Sequence, residues 1–274
     1  MAKPAITGRC RSNPIQAVWP LMAALFAFHV ITARAQQVVD LPTRPGVSQR
    51  LLAILPENPR AGVVLFTGGD GLVGIDETCR LQRGGNFLVR SRQLFADAGI
   101  ATVVVDAPSD KQRHPYLSGE RQRPDHLADA RAVIAWLRMQ VKVPVWLVGT
   151  SRGTQSAAFI ATQLPPADGG PDGIVLTATI LRDPRSRAVP EMALDRLRVP
   201  VLVVHHRHDE CRACLFSDMP LLMDRLSHVQ RRELLVFEGG LNAGDPCEAR
   251  AWHGFNGIEP AVVARIASWI TTVP

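Results

Sequence analysis

The sequence predicts an α/β domain whose sheet is mostly parallel and doubly wound. Continuous apolar runs of four to five residues recur along the chain, which is typical of strands covered by helices on both faces. Helical patterns alternate with these runs from Gly62 onward. No low-complexity linker or internal repeat divides residues 36–274, so we expect them to form a single domain.

Eight strands and five helices follow from these patterns. The predicted strands are 37–39, 49–55, 62–66, 101–105, 145–148, 174–177, 201–205 and 233–237. The predicted helices are 86–98, 125–139, 154–164, 217–226 and 259–271. The first two strands have no helix between them, which predicts an antiparallel hairpin around residues 42–46.

The first 35 residues have the pattern of a secretory signal peptide. Cations near the start are followed by an apolar stretch at 17–31 and by the cleavage-type sequence Ala33-Arg34-Ala35. We therefore predict cleavage after Ala35 and a periplasmic or secreted protein. A retained membrane anchor is the alternative. It is disfavoured because the stretch is shorter than the roughly 20 residues of a spanning helix and contains Pro20 and His29.

The positive charge of the chain belongs mostly to this leader. Removing residues 1–35 takes away Lys3, Arg9, Arg11 and Arg34 but no acid, which lowers the formal net charge from +6 to +2. No basic helix or Arg-rich arm with interleaved aromatic residues is present. Nucleic acid is therefore not an expected partner, and no stable membrane span is expected after the leader is removed.

The pentapeptide Gly149-Thr150-Ser151-Arg152-Gly153 follows an apolar strand pattern and opens a helical one. A serine hydrolase needs this Gly-x-Ser-x-Gly pattern on a sharp strand-to-helix turn, where the serine oxygen stands clear of the backbone. The glycines allow strand and helix to approach closely. The alternative is a glycine turn with an incidental serine. The context favours Ser151 as a nucleophile.

A serine nucleophile needs a histidine base that is oriented by a carboxylate. Asp209 lies just past strand 201–205, and His253 follows the last strand and precedes the final helix. Ligands collect beyond the carboxyl ends of strands in such sheets. The chain order Ser151, Asp209, His253 predicts a catalytic triad.

Other acids and histidines were candidates for the same roles. Asp183, past the sixth strand, is the alternative orienting acid. His205, His206 and His208 come before or beside Asp209 and would break the expected order, so they are interpreted as packing or loop residues.

These residues resemble the α/β-hydrolase superfamily, and within it the small lidless enzymes similar to dienelactone hydrolases. The resemblance rests on the pentapeptide around Ser151, on Asp209 and on His253-Gly254-Phe255, and it spans about residues 37–272. It implies the α/β-hydrolase fold with an eight-stranded sheet, ester-type hydrolysis and no cofactor or metal. Dienelactone hydrolases use a cysteine nucleophile, so their substrate is not carried over. The short connection at 178–198 leaves no room for a separate lid domain.

The tetrahedral intermediate of acyl transfer needs two backbone donors for its oxyanion. One is expected to be the amide of Arg152, which follows the nucleophile. The other is expected in the turn Thr67-Gly68-Gly69-Asp70-Gly71, with Gly69 as donor and Asp70 next to it. A phosphate-cradling loop is the alternative for this turn, but it lacks the Lys-Ser/Thr ending of a P-loop.

After the leader, four cysteines remain, which makes disulfides plausible in an exported protein. Our hypothesis pairs Cys211 with Cys247, which would tie the acid loop to the histidine loop. Cys214 is the competing partner, and Cys79 would take whichever cysteine is left. A redox or zinc pair at Cys211 and Cys214 is the alternative, but no second Cys-x-x-Cys is present.

The loop at 111–123 is rich in cations, and Arg152 and Arg182 could face the same opening. One interpretation is recognition of an anionic small-molecule substrate with a carboxylate or phosphate group; the other is a solvated basic loop.

Taken together, these patterns predict an exported serine hydrolase acting on a small molecule. The alternatives are an exported serine peptidase or acyltransferase and, from another class, a catalytically silent binding protein.

Overall fold

The computed structural model describes residues 4–10 and 35–272. In this part of the chain, nine strands form one sheet in the order β1-β2-β3-β5-β4-β6-β7-β8-β9. The strands are β1 Ala5–Arg9, β2 Gln37–Arg44, β3 Val47–Ile54, β4 Ala61–Phe66, β5 Ile100–Val105, β6 Val145–Thr150, β7 Gly173–Thr177, β8 Val201–His206 and β9 Arg232–Phe237. The pairs from β5 through β4 to β9 are parallel, whereas β1, β2, β3 and β5 pair antiparallel.

Helices cover both faces of the sheet. They are α1 Phe87–Arg90, α2 Arg92–Asp97, α3 Pro124–Val141, α4 Gly153–Gln163, α5 Met219–Arg225 and α6 Glu259–Thr271. Apolar residues of α3, α4 and α5 pack on one face, and those of α1, α2 and α6 pack on the other. Within β6, Leu147 belongs to the first layer and Trp146 to the second. The predicted doubly wound α/β architecture is confirmed.

The predicted helix at 86–98 is divided into α1 and α2 at Ser91. The Ser91 amide still donates to the Phe87 carbonyl (3.1 Å), but its own carbonyl accepts from Leu94 (2.9 Å), three residues on. This tighter turn separates the two helices, and both keep their apolar residues against the sheet.

The sheet has nine strands rather than the eight that were predicted. The eight predicted strands are all present, and the first two form the expected hairpin as β2 and β3. The ninth, β1, lies in the segment predicted as a leader and pairs with the edge strand β2, with Ala5 opposite Asp40 and Arg9 opposite Gln37. Its short length, and a partner strand that lies 28 to 35 residues further along the chain, explain why the sequence pattern did not reveal it.

The signal peptide stays a prediction. Its apolar stretch at 17–31 lies outside the described residues, and cleavage after Ala35 would remove β1. Among the described residues, no helix combines the length and the apolar character needed to cross a bilayer.

His126, in the first turn of α3, gives the fold a specific acid sensitivity. Its ring is 6% exposed, lies edge-on to Phe66 at 5.8 Å, and has no hydrogen-bond partner for either nitrogen among the described residues. Burial, with a smaller contribution from Arg121 and Arg44, lowers the pKa of His126 to about 3. The ring is therefore neutral in the folded protein at neutral pH.

In the unfolded chain the same imidazole titrates near pH 6.5. Between pH 6.5 and 3 the unfolded state therefore binds more protons, and the free energy of unfolding falls as the pH is lowered through this window. We expect His126→Phe to remove roughly 2–3 kcal/mol of the stability that is lost between pH 7 and pH 4. Urea unfolding at both pH values measures this difference. The exposed His228 provides the control: His228→Phe should keep the pH dependence of the parent, and equal slopes for the two variants would contradict the assignment to His126.

Candidate active site

Ser151 occupies a sharp turn between β6 and α4. Its φ of +52° lies in the left-handed region that residues other than glycine seldom occupy. The turn is held by the Ser151 amide, which donates to the Thr177 carbonyl (3.0 Å), and by the Thr154 amide, which donates to the Ser151 carbonyl (2.9 Å). A Cβ on Gly153 would overlap the Phe66 carbonyl oxygen, and one on Gly149 would overlap the Gly153 carbonyl. Both glycines are therefore required by close backbone packing.

Asp209 and His253 form a buried hydrogen-bonded pair. His253 Nδ1 lies 2.9 Å from Asp209 Oδ2, and the Cys211 amide donates to Asp209 Oδ1 (3.0 Å). Since a carboxylate accepts hydrogen bonds, Nδ1 carries the proton and Nε2 presents a lone pair. Nε2 is buried and has no hydrogen-bond partner among the described residues. This is the nitrogen that a serine hydroxyl would approach.

One cavity of about 320 Å³ is lined by both Ser151 and His253. Gly68 and Gly69 form one wall, and residues 247–249 form another. Its volume is in the range of small-molecule sites. No hydrogen bond joins Ser151 to His253 within the described part of the chain, and in unliganded enzymes such contacts are often longer than in the reacting complex.

The expected oxyanion donors lie beside Ser151. Gly68 approaches so closely that a Cβ there would be 3.0 Å from Ser151 Cβ, and Gly69 has a φ of +58°. Within the described residues the amides of Gly69, Asp70 and Arg152 donate no hydrogen bond. The Arg152 amide is free because it lies at the start of α4, where no preceding helical turn offers a carbonyl. The Asp70 carboxylate accepts hydrogen bonds from the Leu72 amide (3.2 Å) and from Arg83.

The Arg121 side chain binds backbone carbonyls of this turn. Its Nη2 donates to the carbonyls of Thr67 (2.9 Å) and Gly69 (3.2 Å), and its Nη1 donates to Ser156 Oγ (2.9 Å) in α4. Because the C=O and N–H of one peptide unit point in opposite directions, carbonyls bound to Arg121 turn their peptide N–H groups away from it. This role could not be predicted from the sequence, because Arg121 is one of several cations in the 111–123 loop and its partners are mainly backbone atoms.

No protein-family model and no curated protein matches the sequence. Solved structures do match over most of the chain. A lidless α/β serine hydrolase from Xanthomonas campestris is 19% identical, with 89% of this chain and 98% of that chain covered and a TM-score of 0.53. A dienelactone-hydrolase-like promiscuous phosphotriesterase from metagenomic libraries is 20% identical (86% and 96% covered, TM-score 0.56). A cold-adapted esterase from an Arctic intertidal metagenomic library is 13% identical (86% and 94% covered, TM-score 0.58).

The protein has the α/β-hydrolase fold. As expected for a lidless member of this fold, the connection from β7 to β8 contains only two single-turn helices, Val189–Glu191 and Leu194–Arg196.

The alternative acid, Asp183, contacts Arg152 and not His253. Arg152 Nη1 donates to Asp183 Oδ2 (2.7 Å), and Gln155 Nε2 (3.0 Å) and Ser186 Oγ (2.7 Å) donate to the same oxygen. Burial opposes ionisation, but these bonds, with that of Arg152 the largest, lower the pKa of Asp183 to about 2. Asp183 therefore anchors the Arg152 side chain, next to Ser151.

The three histidines before Asp209 have packing and hydrogen-bonding partners of their own. His205 Nε2 donates to the Cys214 carbonyl (2.7 Å) and lies 3.5 Å from Asp209 Oδ2. His206 Nε2 donates to the Gly239 carbonyl (2.9 Å), and its ring stacks on Trp252 at 5.6 Å. His208 contacts the same Trp252 ring at 5.3 Å. Burial lowers the pKa of His205 and His206, so both rings are neutral at neutral pH.

The pairing of the cysteines differs in part from the expected one. Cys211 is bonded to Cys247, which joins the acid loop to the histidine loop. Cys79, however, is bonded to Cys10 and not to Cys214, because β1 brings Cys10 beside it. Cys214 is a buried free thiol whose pKa is raised by burial.

A metal site at the Cys-x-x-Cys sequence is not supported. Ligand atoms of Cys211, Cys214 and His253 lie within 4.8 Å of one another. The Cys211 sulfur is used in the disulfide, though, and a disulfide sulfur is not the thiolate that binds zinc.

The cations expected around the opening are not brought to the Ser151 cavity. Lys111 pairs with Glu120 at 3.3 Å, Arg182 pairs with Asp218, and Arg152 pairs with Asp183. The arginine that does line the cavity is Arg83, which lies over the Tyr116 ring at 5.3 Å. For these three side chains, ion pairing with a nearby acid explains the difference, because it draws the side chain towards its own partner. Arg121 and Arg123 of the 111–123 loop line a separate cavity.

Proposed function

We propose that the protein is a serine hydrolase that cleaves a small-molecule ester or thioester through an acyl-enzyme on Ser151. The observation that carries this proposal is the shared cavity of Ser151 and His253, in which the unpartnered Nε2 is backed by the Asp209 carboxylate. Nucleophile, base and orienting acid are thus available from three separate loops, as acyl transfer requires.

In the first step, His253 Nε2 takes the proton of Ser151 Oγ while Oγ attacks the substrate carbonyl carbon. The amides of Gly69 and Arg152 donate to the oxyanion that forms, with Asp70 next in the same turn. The intermediate collapses as His253 returns the proton to the leaving alcohol or thiol. A water molecule, activated by His253 in the same way, then releases the acid and restores Ser151. Asp209 stabilises the imidazolium that exists between these proton transfers.

Two further observations support ester-type chemistry on small molecules. The structurally similar proteins include one described as an esterase and one described as dienelactone-hydrolase-like. In addition, no lid domain covers the cavity in the described part of the chain. The leader-type sequence and the bond between Cys211 and Cys247 support a periplasmic or secreted location.

Labelling with a fluorophosphonate probe tests the proposal. We expect stoichiometric labelling of the parent protein and none of Ser151→Ala, because the probe reacts only with an activated serine. Ser227→Ala, at an exposed serine, is the matched control and should label like the parent.

Turnover of p-nitrophenyl esters and of a thioester of matched acyl length then identifies the preferred leaving group. Absence of labelling in the parent, together with unchanged ligand binding by Ser151→Ala, would support a binding protein instead. Hydrolysis of peptides but not esters would favour a peptidase, and transfer to an added alcohol in preference to water would favour an acyltransferase.

A further inference from the structure

A second cavity, of about 210 Å³, is lined in part by Arg121, the side chain that also binds the Gly69 carbonyl. Four arginines line it, and we call it the arginine cavity: Arg121, Arg123, Arg152 and Arg187. The other lining side chains are uncharged, so no carboxylate faces the cavity. Four cations surround one small space, and only Arg152 is paired with a carboxylate, so the positive potential of the cavity favours a negatively charged ligand.

Nearby carboxylates neutralise few of these arginines. Arg152 is paired with Asp183. Arg123 and Arg187 are exposed and form no ion pair among the described residues. Their guanidinium groups are therefore available to a ligand.

Arg121 is the most informative of the four. It is 5% exposed, its hydrogen-bond partners are neutral oxygens, and its Nε has no partner among the described residues. Burial and the nearby Arg152 lower the pKa of Arg121 to about 10, so the group is still a cation at neutral pH. A buried cation without an anionic partner is unfavourable, and a bound anion would remove that cost.

Two helices add to the positive potential. Arg123 directly precedes α3, and Arg152 and Gln155 lie at the start of α4. The N-terminal end of a helix carries a partial positive charge and unpaired amides, which favour anions nearby.

We propose that the arginine cavity binds a small oxyanion, namely a carboxylate or phosphate group. Arginine is suited to this ligand because its planar group forms paired hydrogen bonds with two oxygens. The ligand is either a free ion or the acid group of a substrate whose ester lies at Ser151. In both cases it contacts Arg121, the side chain that holds the Gly69 turn.

Binding is tested by titrating the Ser151→Ala protein with inorganic phosphate. This measurement does not depend on catalytic turnover. Calorimetric titration is carried out at constant ionic strength set with sodium chloride. We expect saturable binding at one site, weakened at least about tenfold in Arg123→Gln and in Arg187→Gln. Arg185→Gln removes the same charge from an exposed residue that does not line the cavity, and it should bind phosphate like the parent. Absence of saturable binding, or equal weakening in all three variants, would overturn the proposal.

A second arm, which rests on the proposed hydrolase function, distinguishes the two sources of the oxyanion. It compares p-nitrophenyl hydrogen glutarate, an anionic ester, with the neutral p-nitrophenyl butyrate. If the acid group of a substrate is the ligand, Arg187→Gln raises KM for the anionic ester alone with kcat unchanged, and phosphate competes with that ester. If a free ion is the ligand, phosphate changes the turnover of both esters alike. Failure of both esters to react would count against the hydrolase proposal and leave the phosphate titration readable.

Discussion

Replacing Asp209 by Asn is expected to lower kcat for ester hydrolysis by about 10⁴-fold, as the same change does in a known serine protease triad. The Asp209 carboxylate holds the proton of His253 on Nδ1 and leaves the lone pair on Nε2. An asparagine amide would instead donate to Nδ1, which moves the ring proton to Nε2 and removes the lone pair that the proposed mechanism uses as the base. It would also withdraw the negative charge that stabilises the imidazolium. The measurement is kcat at saturating p-nitrophenyl ester.

Asp183→Asn is the matched comparison, since it makes the same change in the other buried acid near the site. We expect a loss of less than about tenfold, because Asp183 contacts Arg152 rather than His253. A larger loss in Asp183→Asn than in Asp209→Asn would show that Asp183 is the orienting acid.

Gly153→Ala is expected to lower the free energy of unfolding by at least about 3 kcal/mol, at the upper end of what overpacking costs. The added Cβ would overlap the Phe66 carbonyl oxygen and would lie 2.9 Å from the Thr67 carbonyl oxygen. Both partners are backbone atoms of β4 and the residue after it, so no side chain can rotate to make room. The helix α4 would have to move away from the sheet, and Ser151 with it. Urea unfolding measures the change.

Gly84→Ala serves as its control. A Cβ there would have no atom closer than 3.8 Å, and Gly84 does not have a positive φ, so the free energy of unfolding should change by no more than about 0.5 kcal/mol. If the two variants were equally stable, the close approach of α4 to β4 would be contradicted.

The central strands were predictable because a strand that is buried on both faces appears in the sequence as a continuous apolar run. Residues 145–148 and 201–205 are apolar throughout or nearly so, and the corresponding strands β6 and β8 are fully buried. The strand β1 has no such apolar run, since it lies at the edge of the sheet and its five residues include Thr7, Gly8 and Arg9. Its position depends on pairing with β2, which local patterns do not encode.

Some residues of the candidate site could be predicted from the sequence, and others could not. Ser151, Asp209 and His253 could be predicted as candidates because side-chain chemistry and chain order restrict such a set. The role of Arg121 could not be predicted, because it mainly contacts backbone carbonyls, which every residue possesses. The Cys10–Cys79 bond was missed for a related reason: it depends on where β1 lies.

The bond between Cys211 and Cys247 affects when, after synthesis, the loops of Asp209 and His253 become covalently connected. It lies two residues after Asp209 and six before His253, so it connects the two halves of the hydrogen-bonded pair. Disulfides form where the surroundings are oxidising. A chain kept under reducing conditions would hold Asp209 and His253 on two loops with no covalent connection, and oxidation would add it. With the export that we propose, this connection would form only after the chain has left the reducing interior of the cell.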